Sequence, residues 1–191
     1  MQIKNPLCLL LLTAYLSPVV AEEHRQHGAH VHGVGELNVV VENTRLQIEL
    51  DGPAVNLLGF EHAPNTREQR ETLRRTLARL KQGAELYVMP ASAACRQVDV
   101  NVHTALDEHE RPHGDDTHHS DHDEDHSHEH GEHTDIEAMW HFTCTQPEAL
   151  DSIRIRLFDA FPMMQRLQVQ FITPDHQGGI ELTPSNNILK F

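Results

Sequence analysis

Residues 37–50 read LNVVVENTRLQIEL, and this stretch decides how the fold begins. Every second residue is apolar from Leu37 to Val41 and again from Leu46 to Leu50, and Asn43-Thr44 offers a turn between them. Such alternation is typical of β-strands with one buried face, because successive side chains point to opposite faces of a sheet. The pattern therefore predicts a hairpin that opens an antiparallel sheet.

A helix is predicted shortly after the hairpin. Thr66 is followed three residues later by Gln69, which is the capping-box pattern that satisfies backbone donors at a helix N-terminus. Apolar residues then recur at helical spacing, and Gly83 is expected to stop the helix. These apolar residues are Leu73, Leu77 and Leu80.

The same helix is strongly basic. Most of its cationic side chains lie away from the leucine stripe, which favours a solvated helix face. Docking of the acidic insertion described below, or of a partner protein, on this face is the alternative. The basic residues are Arg67, Arg70, Arg74, Arg75, Arg79 and Lys81.

Six further segments have the character of strands, and several of them show alternation of period two. Together with the single main helix they predict an α+β fold, which is a mostly antiparallel β domain with a long disordered loop rich in His, Asp and Glu. The six segments are Glu85–Met89, Arg96–His103, Glu137–Cys144, Ser152–Leu157, Arg166–Ile172 and Ile180–Leu182.

The N-terminus has the pattern of a signal peptide. Lys4 precedes an apolar stretch from Leu7 to Leu16, and Val19 and Ala21 suit a cleavage site before Glu22. This stretch is much shorter than the roughly 20 apolar residues that cross a bilayer. We therefore expect residues 1–21 to be removed and residues 22–191 to form one exported metal-binding domain without a membrane span.

An acidic, histidine-rich insertion interrupts the domain. Residues 107–135 hold twelve acidic residues, nine histidines, one arginine and no large apolar side chain. Such a segment cannot bury enough apolar surface to offset the entropy of ordering, so we predict a disordered insertion over residues 104–135. Imidazoles and carboxylates are zinc ligands. The candidate ligands here are His118, His119, His122, His126, His128, His130 and His133.

A second group of candidate zinc ligands follows the signal peptide. His27 lies in this segment, and His30 and His32 are two residues apart, so that in an extended strand both would point to one side and Val31 to the other, toward apolar neighbours. The glycines at positions 28 and 33 allow a turn or a close backbone approach. Two surface histidines on an N-terminal arm are the alternative interpretation. By position alone, His62, His141 and His176 are interpreted as structural.

Removal of the signal peptide also removes Cys8 and leaves Cys95 and Cys144. An even number of cysteines in an oxidising compartment favours a disulfide between them. If Arg96–His103 pairs with Glu137–Cys144, the two cysteines lie opposite each other at the base of the insertion. The alternation of the two segments does not fit a perfect register, so we expect a bulge or a small shift in this pair.

Charge and motifs narrow the class of function. The formal net charge of −14 disfavours binding to nucleic acid and favours binding to cations. Residues 109–113 read HERPH and match the metalloprotease pattern H-E-x-x-H. That pattern needs a helix, and Pro112 disfavours a helix there because proline lacks the N–H group. We therefore do not expect an enzyme.

Several short motifs of the exported chain also occur together in one known family. They are Gly28–Gly33, Gly59–Pro64, the two cysteines around the insertion, Leu157-Phe158 with Phe161-Pro162, and Leu182–Pro184. In combination they resemble ZrgA-type periplasmic zinc-binding proteins. The resemblance implies zinc binding in the periplasm, in connection with zinc uptake and inner-membrane transport, and it strengthens His30, His32 and His62 as ligands.

The leading hypothesis is a periplasmic protein that captures, buffers or delivers Zn²⁺ and has a component of an inner-membrane zinc transporter as its partner. Copper or nickel is an alternative, because imidazole-rich sites favour Cu²⁺ over Zn²⁺ in the Irving–Williams order. A further alternative is an interaction protein whose acidic loop binds a basic partner, with incidental metal binding.

Overall fold

Six strands form the main sheet in a computed structural model that describes residues 31–106 and 134–191. All neighbouring strands are antiparallel except β1 and β7, which are parallel. In spatial order the strands are Cys95–His103 (β4), Asp135–Cys144 (β5), Arg45–Pro53 (β2), Val34–Glu42 (β1), Arg166–Ile172 (β7) and Gln177–Leu182 (β8).

A smaller sheet and four helices complete the described fold. The sheet has the order Tyr87–Val88 (β3), Ser152–Ile155 (β6) and Ile188–Lys190 (β9). The helices are Val55–Leu58 (α1), Arg67–Leu80 (α2), Gly83–Leu86 (α3) and Leu157–Ala160 (α4). The predicted fold class is confirmed, since the chain is mostly antiparallel β with one main helix. No helix in the described ranges is long and apolar enough to cross a membrane.

The predicted hairpin is confirmed. β1 pairs with β2 in antiparallel register from Glu36 opposite Asp51 to Glu42 opposite Arg45. The chain turns through two residues, the first of which is Asn43 with φ of 53°. Asparagine tolerates this left-handed conformation better than other residues with a Cβ, which is why it suits a two-residue hairpin turn.

The core lies between one face of the main sheet and α2. Its central side chain is Trp140 of β5, which is fully buried and contacts the ring of Tyr87 edge to face at a centroid distance of 4.9 Å. Leu73 and Leu80 of α2 are also fully buried. The alternation seen in the sequence is therefore the alternation between this core and the outer face of the sheet.

The capping box of α2 is confirmed, but the predicted stop is not. The hydroxyl of Thr66 accepts the N–H of Gln69, and the Gln69 side chain accepts the N–H of Thr66. The helix ends at Leu80 rather than at Gly83, which instead begins α3. A Cβ at Gly83 would lie 2.4 Å from Cδ1 of Trp140. Glycine is present because the indole ring packs against the backbone there.

Two predicted strands are shorter than expected. Residues 85–89 were expected to be extended, but α3 runs through Leu86 and β3 covers only Tyr87–Val88. β6 ends at Ile155, and Leu157 begins α4 although it continues the apolar alternation. In both places a buried apolar residue fits a helical turn as well as a strand, so that periodicity alone does not separate them.

The disulfide at the base of the insertion is confirmed. Cys95 lies directly opposite Cys144 across β4 and β5, and their sulfur atoms are bonded. The register shifts between Gln97 and Asp99, which is the bulge expected from the sequence. The fold continues past β4 on the N-terminal side of the insertion, since Leu106 is buried. The predicted signal peptide, His27, His30 and residues 107–133 lie outside the described residues.

Candidate metal site

His32 lies in a tight turn that leads into β1. The N–H of Val34 donates to the carbonyl oxygen of Val31 at 3.0 Å, and Gly33 has φ of +83°. This conformation is strained for any residue with a Cβ, which explains the glycine after His32. The expectation of an extended strand here was wrong for the described residues, and Val31 is 55% exposed rather than packed against apolar neighbours.

The turn is held by the backbone of Gly33. Its N–H donates to the side-chain oxygen of Asn56 at 2.6 Å, and the Asn56 amide donates in turn to the carbonyl of Val34 at 2.7 Å. The carbonyl of Gly33 accepts the N–H groups of Gln165 and Arg166 at 2.8 and 2.9 Å. Asn56 is almost fully buried, and buried hydrogen bonds of this kind fix backbone position. His32 therefore directly precedes a well-anchored point of the fold.

The side chain of His32 lies beside a carboxylate. Its Nε2 atom is 3.4 Å from Oε2 of Glu61. The His32 side chain is 62% exposed, whereas that of Glu61 is 24% exposed. An imidazole nitrogen and a carboxylate oxygen at this distance form an ion pair if the histidine is protonated, or a hydrogen bond if the neutral ring carries its proton on Nε2. Both atoms are also of the types that bind zinc.

Glu61 was missed by the sequence analysis. It stands directly before His62 within Gly59–Pro64, and that motif was read for its histidine alone. The available signal was the carboxylate itself, because Asp and Glu oxygens commonly complete zinc sites built from histidines. What the sequence did not reveal is that the turn at His32 and the segment after α1 meet.

His62 presents Nε2 as the ring nitrogen that carries a lone pair. Its Nδ1 is 2.9 Å from the carbonyl oxygen of Ala63, and a carbonyl can only accept, so Nδ1 carries the proton. The Gln69 amide agrees with this assignment. Its oxygen accepts the N–H groups of Asn65 and Thr66, which leaves its NH₂ group facing Nε2 of His62 at 3.5 Å. The exposed Nε2 is thus the nitrogen that can bind a metal.

The other histidines of the strands and turns have local contacts. Nδ1 of His141 lies 3.8 Å from a carboxylate oxygen of Asp99 on the neighbouring strand. His176 closes the β7–β8 turn, where its carbonyl accepts the N–H of Thr173 at 2.8 Å, and its ring contacts Phe171 edge to face. These contacts suit the structural interpretation of both histidines.

Within residues 31–106 and 134–191, no three His, Cys, Asp or Glu side chains are placed together so that they could hold a metal ion. Of the candidate residues, the described chain includes His32 and His62, and it places Glu61, which was not a candidate, beside His32. The remaining candidates lie outside it and are His27, His30, His118, His119, His122, His126, His128, His130 and His133.

The insertion departs from the same end of the sheet as the His32 turn. Pro53, at the end of β2, pairs with Asp135 at the start of β5, and the N–H of Ala54 donates to the carbonyl of Thr134 at 2.8 Å. Asn56, which holds the His32 turn, follows two residues later. The two groups of histidines seen in the sequence are therefore connected to one end of the fold.

Comparison with known proteins assigns the chain to a family. Residues 29–191 match the family model described as ZrgA family zinc uptake protein. The chain belongs to this family. As a ZrgA family member it is associated with zinc uptake, and the match includes both the His32 turn and the insertion. A search of the curated proteins found no match.

Proposed function

We propose that this ZrgA family protein captures Zn²⁺ in the periplasm, buffers it, and delivers it to a component of an inner-membrane zinc transporter. In this proposal residues 1–21 are a signal peptide and the exported chain is a binding protein rather than an enzyme. The Cys95–Cys144 disulfide supports an oxidising compartment such as the periplasm. Zinc is the cargo of the protein.

The distance between Nε2 of His32 and Oε2 of Glu61 is the observation that carries the proposal. Two ligand atoms that each lie about 2.1 Å from a tetrahedral zinc ion are about 3.4 Å apart. The separation of these two atoms is 3.4 Å. The pair therefore has the spacing of two zinc ligands, and a complete zinc site needs further ligands beside it.

Further ligands come from nearby segments of the chain. His30 is two residues before His32, which keeps their Cα atoms within about 7 Å of each other. His62 follows Glu61 directly and has its Nε2 available. His27 and the histidines of the insertion are the remaining candidates. The histidines of the insertion are interchangeable, because they allow many combinations of four ligands.

The insertion is proposed to gather zinc for this site. Its own sites have to offset the entropy of ordering a segment without apolar side chains, so each should bind more weakly than the site at His32 and Glu61. Weak sites tethered near a tighter site raise the local concentration of the metal. Such a gradient of affinity favours capture by the insertion and retention by the folded domain.

Zinc titration by calorimetry, together with metal analysis, tests the proposal on the oxidised chain 22–191. Glu61→Gln keeps the shape of the side chain but removes its charge, and His32→Ala removes the partner. Each change should weaken the tightest site at least tenfold, because one ligand is lost. Replacement of residues 107–133 by a Gly-Ser linker should keep that site and remove the weaker ones.

His176→Ala is the matched control, since it removes an imidazole from the β7–β8 turn, where the ring contacts Phe171 and the hydroxyl of Thr173. It should leave the tight site unchanged. If the linker form binds no zinc, the insertion is the functional site and the role given to His32 and Glu61 is wrong. Tighter and stoichiometric binding of Cu²⁺ over Zn²⁺ under competition would overturn zinc as the cargo.

A further inference from the structure

Four exposed cationic side chains lie on α2 and directly after it. Arg67, Arg75, Arg79 and Lys81 are all exposed. Within the part of the chain that the structure describes, no carboxylate lies within 4 Å of their side-chain nitrogens, and Arg75 contacts only the hydroxyl of Thr72. Five positive charges along a helix with two acidic residues are unusual in a chain whose net charge is −14. We call the exposed side chains of these four residues the α2 basic face.

The positive charges on α2 affect Glu71, a carboxylate that lies among them. A hydrogen bond from Arg74, and then its charge, lower the pKa of Glu71, and the charges of Arg75 and Arg67 lower it further. Residues seven or eight positions apart lie on one side of a helix, so Arg67, Arg74 and Arg75 share a side. This side lies opposite the buried residues Leu73, Thr76 and Leu80. The surface is thus positive over several turns.

We propose that the α2 basic face is the docking surface for the acidic insertion of the same chain, residues 107–133. This segment contains eleven acidic residues and a single arginine, Arg111. It carries most of the excess negative charge of the chain, and the α2 basic face is the largest concentration of positive charge in the sequence. Opposite charges on one chain attract at high effective concentration, because the second partner is never diluted.

The ends of the insertion lie close enough for this contact. The hydroxyl of Thr104 donates to the carbonyl of Asp135 at 2.9 Å, so both ends leave the fold at one place. There Thr134 accepts the N–H of Ala54, which directly precedes α1. The carbonyl of Leu57 in α1 accepts the hydroxyl of Thr76 in α2 at 3.5 Å. The departure point of the insertion is therefore separated from α2 by one turn of helix.

The length of the segment is also sufficient. α2 has 14 residues and is about 21 Å long, since an α-helix rises about 1.5 Å per residue. Residues 107–133 can extend to roughly 45 Å and return, at about 3.4 Å per residue. The segment can reach the whole α2 basic face from its anchored ends. Docking requires only opposite charges and a segment long enough to reach the α2 basic face. It therefore does not depend on the proposed zinc capture.

Paramagnetic broadening measures the contact directly. The chain 22–191, with its disulfide formed and with chelator present, carries Ser120→Cys and a nitroxide label in the insertion. At an ionic strength of about 10 mM, the Debye length is about 30 Å, and at 1 M it is about 3 Å. Amide signals of α2 should be broadened at low salt more than those of β8, and the broadening should be lost at 1 M salt.

Charge variants assign the contact to the α2 basic face. Arg67→Gln, Arg75→Gln and Arg79→Gln together should abolish the extra broadening of α2. The matched control changes three exposed basic residues outside α2, Arg45→Gln, Arg154→Gln and Lys190→Gln, and should keep it. Equal loss in both triple variants, or no extra broadening in the parent, would overturn the proposal.

Intermolecular docking is distinguished by mixing. A sample that combines isotope-labelled chain without nitroxide and unlabelled chain with nitroxide should show no broadening of α2. Broadening in that sample would mean that a second copy occupies the face, and the proposal would be wrong. Because the sample contains chelator, neither result depends on whether the protein takes up zinc.

Discussion

Nε1 of Trp140 donates a 2.6 Å hydrogen bond to the carbonyl oxygen of Leu80, the last residue of α2. Both residues are fully buried. Trp140→Phe keeps an aromatic ring but removes the donor and part of the ring volume. We expect the free energy of unfolding to fall by about 2 to 4 kcal/mol, because a buried carbonyl is left unsatisfied and a cavity forms. Urea unfolding measures this loss, and a change below about 0.5 kcal/mol would contradict it.

Gly83→Ala should also destabilise the packing around Trp140. The added Cβ would lie 2.4 Å from Cδ1 of Trp140 and 2.8 Å from Oε1 of Gln97, so the indole ring or the helix has to move. Overpacking of this kind costs about 1 to 3 kcal/mol. Thermal unfolding should show the lower stability, while Gly179→Ala should have a small effect because its Cβ meets the nearest atom at 3.4 Å.

Tyr87→Phe is expected to keep or raise stability at neutral pH. The Tyr87 hydroxyl is buried and has no hydrogen-bond partner in the described structure, so its removal relieves a desolvation cost of about 1 to 3 kcal/mol. Lower stability of the variant at pH 7 would show that the hydroxyl is satisfied.

The same residue predicts a difference at high pH. Burial raises the pKa of Tyr87 well above its ordinary value of 10.0. The unfolded chain therefore loses this proton near pH 10 while the folded chain keeps it. Ionisation of Tyr87 therefore leaves the free energy of unfolding unchanged below pH 10. Above pH 10 it lowers the free energy of unfolding progressively as the pH rises. Above pH 10 the parent should lose stability faster than Tyr87→Phe in alkaline unfolding followed by circular dichroism, and parallel losses would contradict the prediction.

Replacement of Cys95 and Cys144 by serine should lower the free energy of unfolding by about 3 to 4 kcal/mol in the chain-entropy model, because the bond closes a long loop. The two residues are 49 positions apart. When a Gly-Ser linker shorter than residues 107–133 replaces that segment, the disulfide closes a shorter loop. The loss of unfolding free energy on replacing the cysteines should then be smaller. Equal losses in both forms would mean that the stabilisation does not come from closing the loop.

Gly33→Ala should weaken the proposed zinc site without removing a ligand. A residue with a Cβ costs about 1 to 2 kcal/mol in the left-handed conformation that Gly33 adopts at φ of +83°. Relief of this strain would turn His32 away from Glu61. Calorimetry should show weaker zinc binding with unchanged stoichiometry, and Gly179→Ala serves as the control at a glycine with ordinary φ.

Local patterns in the sequence predicted the elements that depend on neighbouring residues. Alternation predicted the β1–β2 hairpin, and the Thr66–Gln69 pattern predicted the start of α2. The imperfect alternation of the two strands beside the insertion predicted a bulge or a small shift in that pair, and the structure places it between Gln97 and Asp99. Each of these depends on residues close in the chain or on one hydrophobic face. The disulfide followed from a count of cysteines together with this pairing.

Contacts between distant segments were not predictable in this way. No periodicity indicates that β7 lies beside β1 in parallel, with Val169 opposite Leu37. Nor does it indicate that Glu61 meets His32, since this contact depends on the buried side chain of Asn56. Gly83 was interpreted as a helix stop because glycine often ends helices. In the structure, glycine is required there because the ring of Trp140 in β5 leaves no room for a Cβ.

The parallel pairing of β1 with β7 also orders the events of folding. β1 is the first strand of the fold to leave a ribosome or an export channel, and β7 is among the last, since Val34 pairs with Arg166. Until β7 arrives, β1 forms an open sheet edge, and open edges invite pairing with other chains. The whole insertion emerges between β1 and β7, during this interval. The exposed edge thus gives chaperones a defined period in which to act, which ends only when the C-terminal strands emerge.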